Sequence, residues 1–176
     1  NLESTRDIEY ATASYGQGVA FTPVATVRAL SSIANGGKLI TPHIVKEIRY
    51  KYGVAKKLSY GDGKQILKKE TSDEITRMLV NVVDKALAQG KAKNPNYSVA
   101  AKTGTAQIAK EEGGGYYEDR FLHSFFGYFP AYNPKFLVFF YVINPRDVRF
   151  ASETLTEPFL ETTKFLINYY NIPPDR

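Results

Sequence analysis

Tyr97-Ser98-Val99-Ala100-Ala101-Lys102-Thr103-Gly104-Thr105-Ala106-Gln107-Ile108 is the stretch on which the reading of this chain turns. It reads as a strand over 97–108 with Lys-Thr-Gly-Thr in its interior. By itself a glycine inside a strand marks no more than a bulge, and Lys-Thr-Gly is a short enough run to arise by chance. The residues downstream give it a place. Two more strand-like runs occupy 121–129 and 136–143, the second apolar at every position and so expected to be covered on both faces. Tyr132-Asn133-Pro134-Lys135 has the composition of a tight hairpin turn between them, and a loop holding Glu111-Glu112-Gly113-Gly114-Gly115 joins the first two strands.

Upstream, Thr22 and Pro23 open a helix that Asn35-Gly36-Gly37 stops, with Val27, Leu30, Ile33 and Ala34 on one face. Residues 39–52 alternate apolar with basic residues and predict an exposed hairpin or an extended excursion, broken by Gly53 and Tyr60-Gly61-Asp62-Gly63. A second helix is predicted over 72–89. Thr71 and Glu74 have the spacing of a capping box, and one apolar stripe runs from Ile75 through Met78, Leu79, Val82 and Val83 to Leu87. A last helix is predicted over 157–170, capped by Thr156 with Pro158 in its first turn and stopped by Ile172-Pro173-Pro174. The order predicts an α+β fold: one three-stranded antiparallel sheet with helices packed on it, with no internal repeat and no interdomain linker.

The 176 residues fit one domain, and 43% hydrophobic content is too high for a disordered chain. There is no Cys, and His43 and His123 lie far apart, so neither a disulfide nor a structural metal is expected. No cofactor motif is present; Gly113-Gly114-Gly115 leads into Tyr116 and not into the Gly-Lys-Ser/Thr of a phosphate loop. The net charge of +5 concentrates its basic residues in 38–69. Without a recognition motif this reads as a solvated lysine-rich surface, not a nucleic-acid site, and it would also suit an anionic membrane or wall. No apolar run of about 18 residues is available to span a membrane.

Five runs, in order, resemble class B penicillin-binding proteins: Tyr15-Gly16-Gln17-Gly18 before Thr22-Pro23; Ala34-Asn35-Gly36-Gly37 before Pro42-His43-Ile44-Val45; Lys102-Thr103-Gly104-Thr105-Ala106-Gln107; His123-Ser124-Phe125-Phe126-Gly127-Tyr128-Phe129-Pro130; and Ile172-Pro173-Pro174-Asp175. The resemblance covers nearly the whole chain and implies the C-terminal part of one β-lactamase/transpeptidase-like domain. It implies a peptidoglycan D,D-transpeptidase working through a serine acyl-enzyme, at the extracytoplasmic face of the bacterial inner membrane with its anchor upstream. It assigns catalytic roles to Lys102 and Thr105, and substrate binding to Thr103, Gly104 and Thr105. The Thr105 N–H would be one oxyanion donor, Gly104 would let the backbone approach the acylated serine, and Lys102 would supply positive charge. The two threonine hydroxyls would bind the ligand carboxylate, and the stem peptide would lie along the strand as an added strand. The implied partners are peptidoglycan stem peptides, β-lactam antibiotics, the N-terminal part of the same domain, and division or elongation proteins.

Two family motifs have no counterpart here. Ser98 precedes Lys102 by four positions, not the three of Ser-x-x-Lys, and Ser32 precedes Asn35 by three, not the two of Ser-x-Asn. Both motifs are expected upstream, so the chain alone is expected to be unable to form an acyl-enzyme, and the apolar surface left without its N-terminal cover is expected to self-associate. A non-catalytic interaction or sensor module and a serine β-lactamase relative remain the alternatives. His123 and Ser124, as neighbours on a strand, are expected to point to opposite faces, and Glu111 and Glu112 to sit on a solvated loop, with a lid role as the minor reading.

Overall fold

Three antiparallel strands organise the computed structural model, which describes residues 3–112 and 114–176. They are β5 (Ala100–Ala109), β6 (Tyr116–Phe129) and β7 (Phe136–Ile143), in the spatial order β5-β6-β7. Before them come α1 (Asp7–Ala13), α2 (Pro23–Ala34), the short strands β1 (Lys38–Leu39), β2 (Glu47–Arg49), β3 (Ala55–Lys57) and β4 (Lys64–Gln65), and α3 (Lys69–Asn81); α4 (Ala151–Tyr169) closes the order. The predicted α+β architecture is the one observed.

Alternation along the strands divides the interior in two. Phe125 and Phe129 point toward α4 and pack with Phe159, Leu155 and Ile167 of that helix. The Phe125 and Phe159 rings stack with centroids 4.5 Å apart. Ala100 and Tyr128 point the other way and meet Leu79 and Val80 of α3, with Ile33 of α2 at the margin. Each fully buried aromatic removes enough apolar area to contribute about 1.5–3 kcal/mol. Tyr128 is fully buried, and its hydroxyl lies 2.7 Å from Thr76 Oγ1; burial pushes its phenol pKa up, with the Thr76 bond opposing.

Several predicted boundaries shift, each for a local reason. The first strand starts at Ala100, not Tyr97, because the chain before it bonds to the C-terminus: the Ser98 N–H donates to Asp175 Oδ1 at 2.7 Å and the Tyr97 hydroxyl to the Ile172 carbonyl at 2.8 Å. The second begins at Tyr116, five residues before Phe121, since a bulge between Gln107 and Ala109 lets the hairpin continue to the Ala109–Tyr116 pair. Strand β7 is half-covered only as far as Phe140; Tyr141, Val142 and Ile143 run out past the helices and are exposed.

The second predicted helix starts at Lys69, so Thr71 lies inside its first turn and caps nothing, and Glu74 pairs with Arg77 at 2.6 Å. Nor does it run regularly to Gln89. Residues Val82–Ala86 form a wider π turn, and Ala88 and Gln89 take left-handed φ of 48° and 58°. The wide turn re-aims the apolar stripe: Leu79 and Val80 serve the α3 side of the sheet, whereas Val83 and Leu87 join the α4 core. The last helix starts at Ala151, six residues before Glu157, because the Glu153 carboxylate accepts from the Phe150 N–H at 3.1 Å and caps it there. Thr156 is consequently buried in the helix, and Pro158 falls on an exposed position within it.

The exposed β structure expected of 39–52 is present, but its partner strands lie further along, in two nested ribbons over 38–65, β1 with β4 and β2 with β3. Thr22 caps α2 as read, accepting from the Ala25 N–H at 3.2 Å. Asn1, Leu2 and Gly113 lie outside the described residues.

Candidate active-site cleft

Among the described residues, strand β5 is an edge strand, paired with β6 alone. Register opposes Gly104 to Ser124, Lys102 to Phe126 and Thr105 to His123. Lys102 and Gly104 therefore share the face that carries Ser124 and Phe126, and Thr103 and Thr105 share the other. The Gly104 carbonyl faces β6, where the Ser124 hydroxyl approaches it at 3.4 Å. The Thr103 carbonyl instead accepts from Lys102 Nζ at 2.8 Å and faces away from β6. The two-residue period of a strand then turns the N–H and carbonyl of Thr105 to that same open edge. An edge with outward N–H groups can take an extended peptide as a further strand.

A cleft of about 930 Å³ opens beside this strand. Lys102, Thr103 and Gly104 line it from the sheet, with Ser124 and Phe126 behind them. Gly16, Gln17 and Gly18 line it from the loop between α1 and α2, and Pro23, Thr26 and Leu30 from the first turns of α2. The fold thus brings the Tyr15-Gly16-Gln17-Gly18 run to the Lys-Thr-Gly strand across more than 80 residues of sequence, although Tyr15 itself stays exposed.

On the cleft face a Cβ at Gly104 would meet Ser124 Oγ at 2.6 Å, so a side chain there would have to displace that hydroxyl and would enter the cleft. Thr105 is tied from behind. Its Oγ1 accepts from the Ala151 N–H at 3.0 Å, at the start of α4, which leaves the hydroxyl proton free for another acceptor. Sequence reasoning missed this bond because it places α4 six residues too late.

His123, the cross-strand partner of Thr105, is fully buried. One ring nitrogen lies 3.0 Å from the Arg149 carbonyl and the other 2.9 Å from Thr154 Oγ1. A carbonyl can only accept, so Nε2 donates to Arg149, while the Thr154 hydroxyl bridges Nδ1 and the Ala151 carbonyl. His123 fixes the 149–154 segment, and that segment holds Thr105. It points away from Ser124, which lines the cleft, so the two form no pair. Glu111 and Glu112 are exposed in the loop closed by the Lys110 N–H on the Gly115 carbonyl. His43 stacks on Tyr60 with centroids 3.7 Å apart, outside the cleft.

Comparison with known proteins matches this arrangement to a family. The penicillin binding protein transpeptidase domain model fits residues 1–163. The chain belongs to the penicillin-binding protein transpeptidase family. Stage V sporulation protein D of Bacillus subtilis is 38% identical over 166 residues, 90% of this chain and 24% of that protein. A peptidoglycan D,D-transpeptidase FtsI homolog of Nephroselmis olivacea is 28% identical over 86% of this chain and 29% of its own length. The apo crystal structure of penicillin-binding protein 3 from Mycobacterium tuberculosis superimposes with a TM-score of 0.82 at 26% identity, over 95% of this chain and 39% of that one. Aztreonam and ampicillin complexes of that protein are also known. The chain spans roughly a quarter of the length of the curated relatives it matches. Among the described residues of this chain, no helix is long and apolar enough to cross a membrane.

Proposed function

We propose that this chain supplies the Lys-Thr-Gly strand and the oxyanion side of a peptidoglycan D,D-transpeptidase. The observation that carries the reading is the outward edge of β5 at Thr103 and Thr105, facing open space beside a cleft that also takes in Gly16–Gly18.

A serine from the part of the domain outside this chain attacks the carbonyl of the penultimate stem-peptide residue. The carbonyl π electrons move to oxygen, and the Thr105 N–H meets that oxyanion together with the serine's own N–H. A lost donor of this kind typically costs about 3–4 kcal/mol of transition-state stabilisation. Collapse breaks the peptide C–N bond and releases the terminal amino acid, which leaves as its amine after taking a proton. An amine of a second stem peptide then attacks the acyl ester, forms the cross-link and returns the proton to the serine. A β-lactam follows the first step but retains its ring-opened leaving group, so the ester persists.

Lys102 holds positive charge at the cleft, and the Thr103 and Thr105 hydroxyls donate to the carboxylate of stem peptide or antibiotic. The bond from Ala151 to Thr105 Oγ1 is compatible with the donor role, since it occupies a lone pair and leaves the hydroxyl proton to donate. The chain alone has no activated serine and is inactive in this reading; the intact protein works at the extracytoplasmic face of the inner membrane, with division or elongation proteins as partners.

The test is covalent labelling. The intact protein incubated with a fluorescent penicillin is expected to gain one adduct on a serine outside this chain, and the isolated chain none. Hydrolysis of a chromogenic cephalosporin with many turnovers would instead identify a β-lactamase, and an unlabelled intact protein a non-catalytic module.

A further inference from the structure

Charge on this molecule is unevenly placed. Residues 38–69 hold nine basic and two acidic side chains, a formal +7 against +5 for the whole chain, so everything else sums to −2. Among the described residues, Arg49 and Lys69 alone of these cations have acid partners, Glu47 at 2.6 Å and Asp73 at 2.5 Å. Lys46, Lys51, Lys56 and Lys57 have none among the described residues.

Packing does not account for the segment either. The β2–β3 ribbon has three residues in each strand and packs chiefly on itself. A lone two-stranded ribbon is marginal in water, and here both faces meet solvent, with Ile44 and Tyr52 almost wholly exposed. The ribbon is nonetheless held in place. His43 stacks on Tyr60, the Tyr60 hydroxyl donates to the Val45 carbonyl at 2.7 Å, and Arg28 Nε donates to the Ile40 carbonyl at 2.8 Å. Arg28 lies on α2 between Thr26 and Leu30, which line the cleft. The arm is therefore rooted about 10 Å, one helix diameter, from the cleft wall.

We propose that residues 41–61 are a docking arm for the carboxylate-bearing peptidoglycan polymer where it extends beyond the cleft. The proposal rests on the transpeptidase reading for the identity of the polymer. Its stem peptides repeat carboxylates along a glycan strand, and the unpaired ammonium groups of Lys46, Lys51, Lys56 and Lys57 complement them. Tyr50 and Tyr52 offer ring faces for the apolar sides of sugars. A pre-ordered arm binds without the cost of being ordered first. A bilayer surface is the poorer occupant, because lysines stand among the exposed apolar residues, Lys51 beside Tyr52 and Lys56 opposite Ile48.

The experiment compares the intact protein with its Lys46→Gln/Lys51→Gln/Lys56→Gln/Lys57→Gln variant. Both are sedimented with purified sacculi stripped of phosphate polymers, at low and at high salt, and both are labelled with fluorescent penicillin. The expected result is apparent affinity for sacculi about tenfold weaker in the variant at low salt, a difference that high salt abolishes, and equal labelling rates. Equal sedimentation of the two proteins overturns the proposal. So does binding that needs the phosphate polymers, or that goes to anionic phospholipid vesicles and not to stripped sacculi. Absence of labelling in both would overturn the transpeptidase reading separately, since sedimentation does not depend on the serine.

Discussion

Two glycines, Gly104 and Gly127, lie on neighbouring strands and constrain the protein differently. A Cβ on Gly104 would meet only the Ser124 hydroxyl, which can rotate away, but it would project into the cleft. A Cβ on Gly127 would lie 2.4 Å from the Phe159 ring and 2.8 Å from Ala101 Cβ, inside the core. Gly104→Ala is accordingly expected to leave the melting temperature nearly unchanged while slowing penicillin acylation of the intact protein about 100-fold, the scale of a misplacement of about 1 Å at a reacting centre. Gly127→Ala is expected to lose about 1–3 kcal/mol in denaturant unfolding through overpacking. The Lys-Thr-Gly-Thr run was legible in the sequence because it is contiguous. The links from Ala151 to Thr105 and from His123 to Arg149 and Thr154 were not, since each joins residues at least 26 positions apart through bonds no local pattern encodes.

Among the elements, β5 depends on the C-terminus. Asp175 accepts from the Ser98 N–H and from the Ser98 hydroxyl, and that hydroxyl in turn accepts from the Ala131 N–H at 2.9 Å. Ser98 is buried, so removing the carboxylate strands a donor away from water. Asp175→Ala should destabilise the fold by about 2 kcal/mol, measured by urea unfolding, with a midpoint shift and no change in slope. The sequence placed Ile172-Pro173-Pro174-Asp175 as a closing run without indicating what it closes on. Helix type was readable from periodicity for α2, α3 and α4, and for α2 so were its cap at Thr22, its start at Pro23 and its stop before Asn35, whereas the bounds of α3 and α4 were not. α4 starts early because Glu153 caps it, and α3 gives way to a π turn because its stripe divides between two cores. Seven-residue α1, with no buried side chain, carries no periodic signal strong enough to read.

At the scale of the molecule, the sheet formed by the described residues has two free edges and incomplete cover. Among them β7 pairs with β6 alone, and its last three residues are exposed. On α4, Phe165 and Tyr169 stack 5.6 Å apart and are 61% and 67% exposed. Open edges and aromatic faces of this kind recruit further chain. The isolated chain is expected to self-associate at micromolar concentration, seen as a light-scattering mass above 19.7 kDa; a clean monomer would count against an uncovered face.

The central claim is that β5 forms one wall of a serine acylation site. The most direct measurement is the second-order rate of fluorescent-penicillin labelling of the intact protein, wild type against Lys102→Ala, with unfolding monitored in parallel. Lys102 is exposed and among the described residues its side chain bonds the Thr103 carbonyl alone, so its loss should leave stability within about 0.5 kcal/mol. Losing a charge-assisted contact to the ligand carboxylate, at about 2–3 kcal/mol, predicts labelling about 100-fold slower. Labelling of a folded Lys102→Ala protein at the wild-type rate would contradict the account.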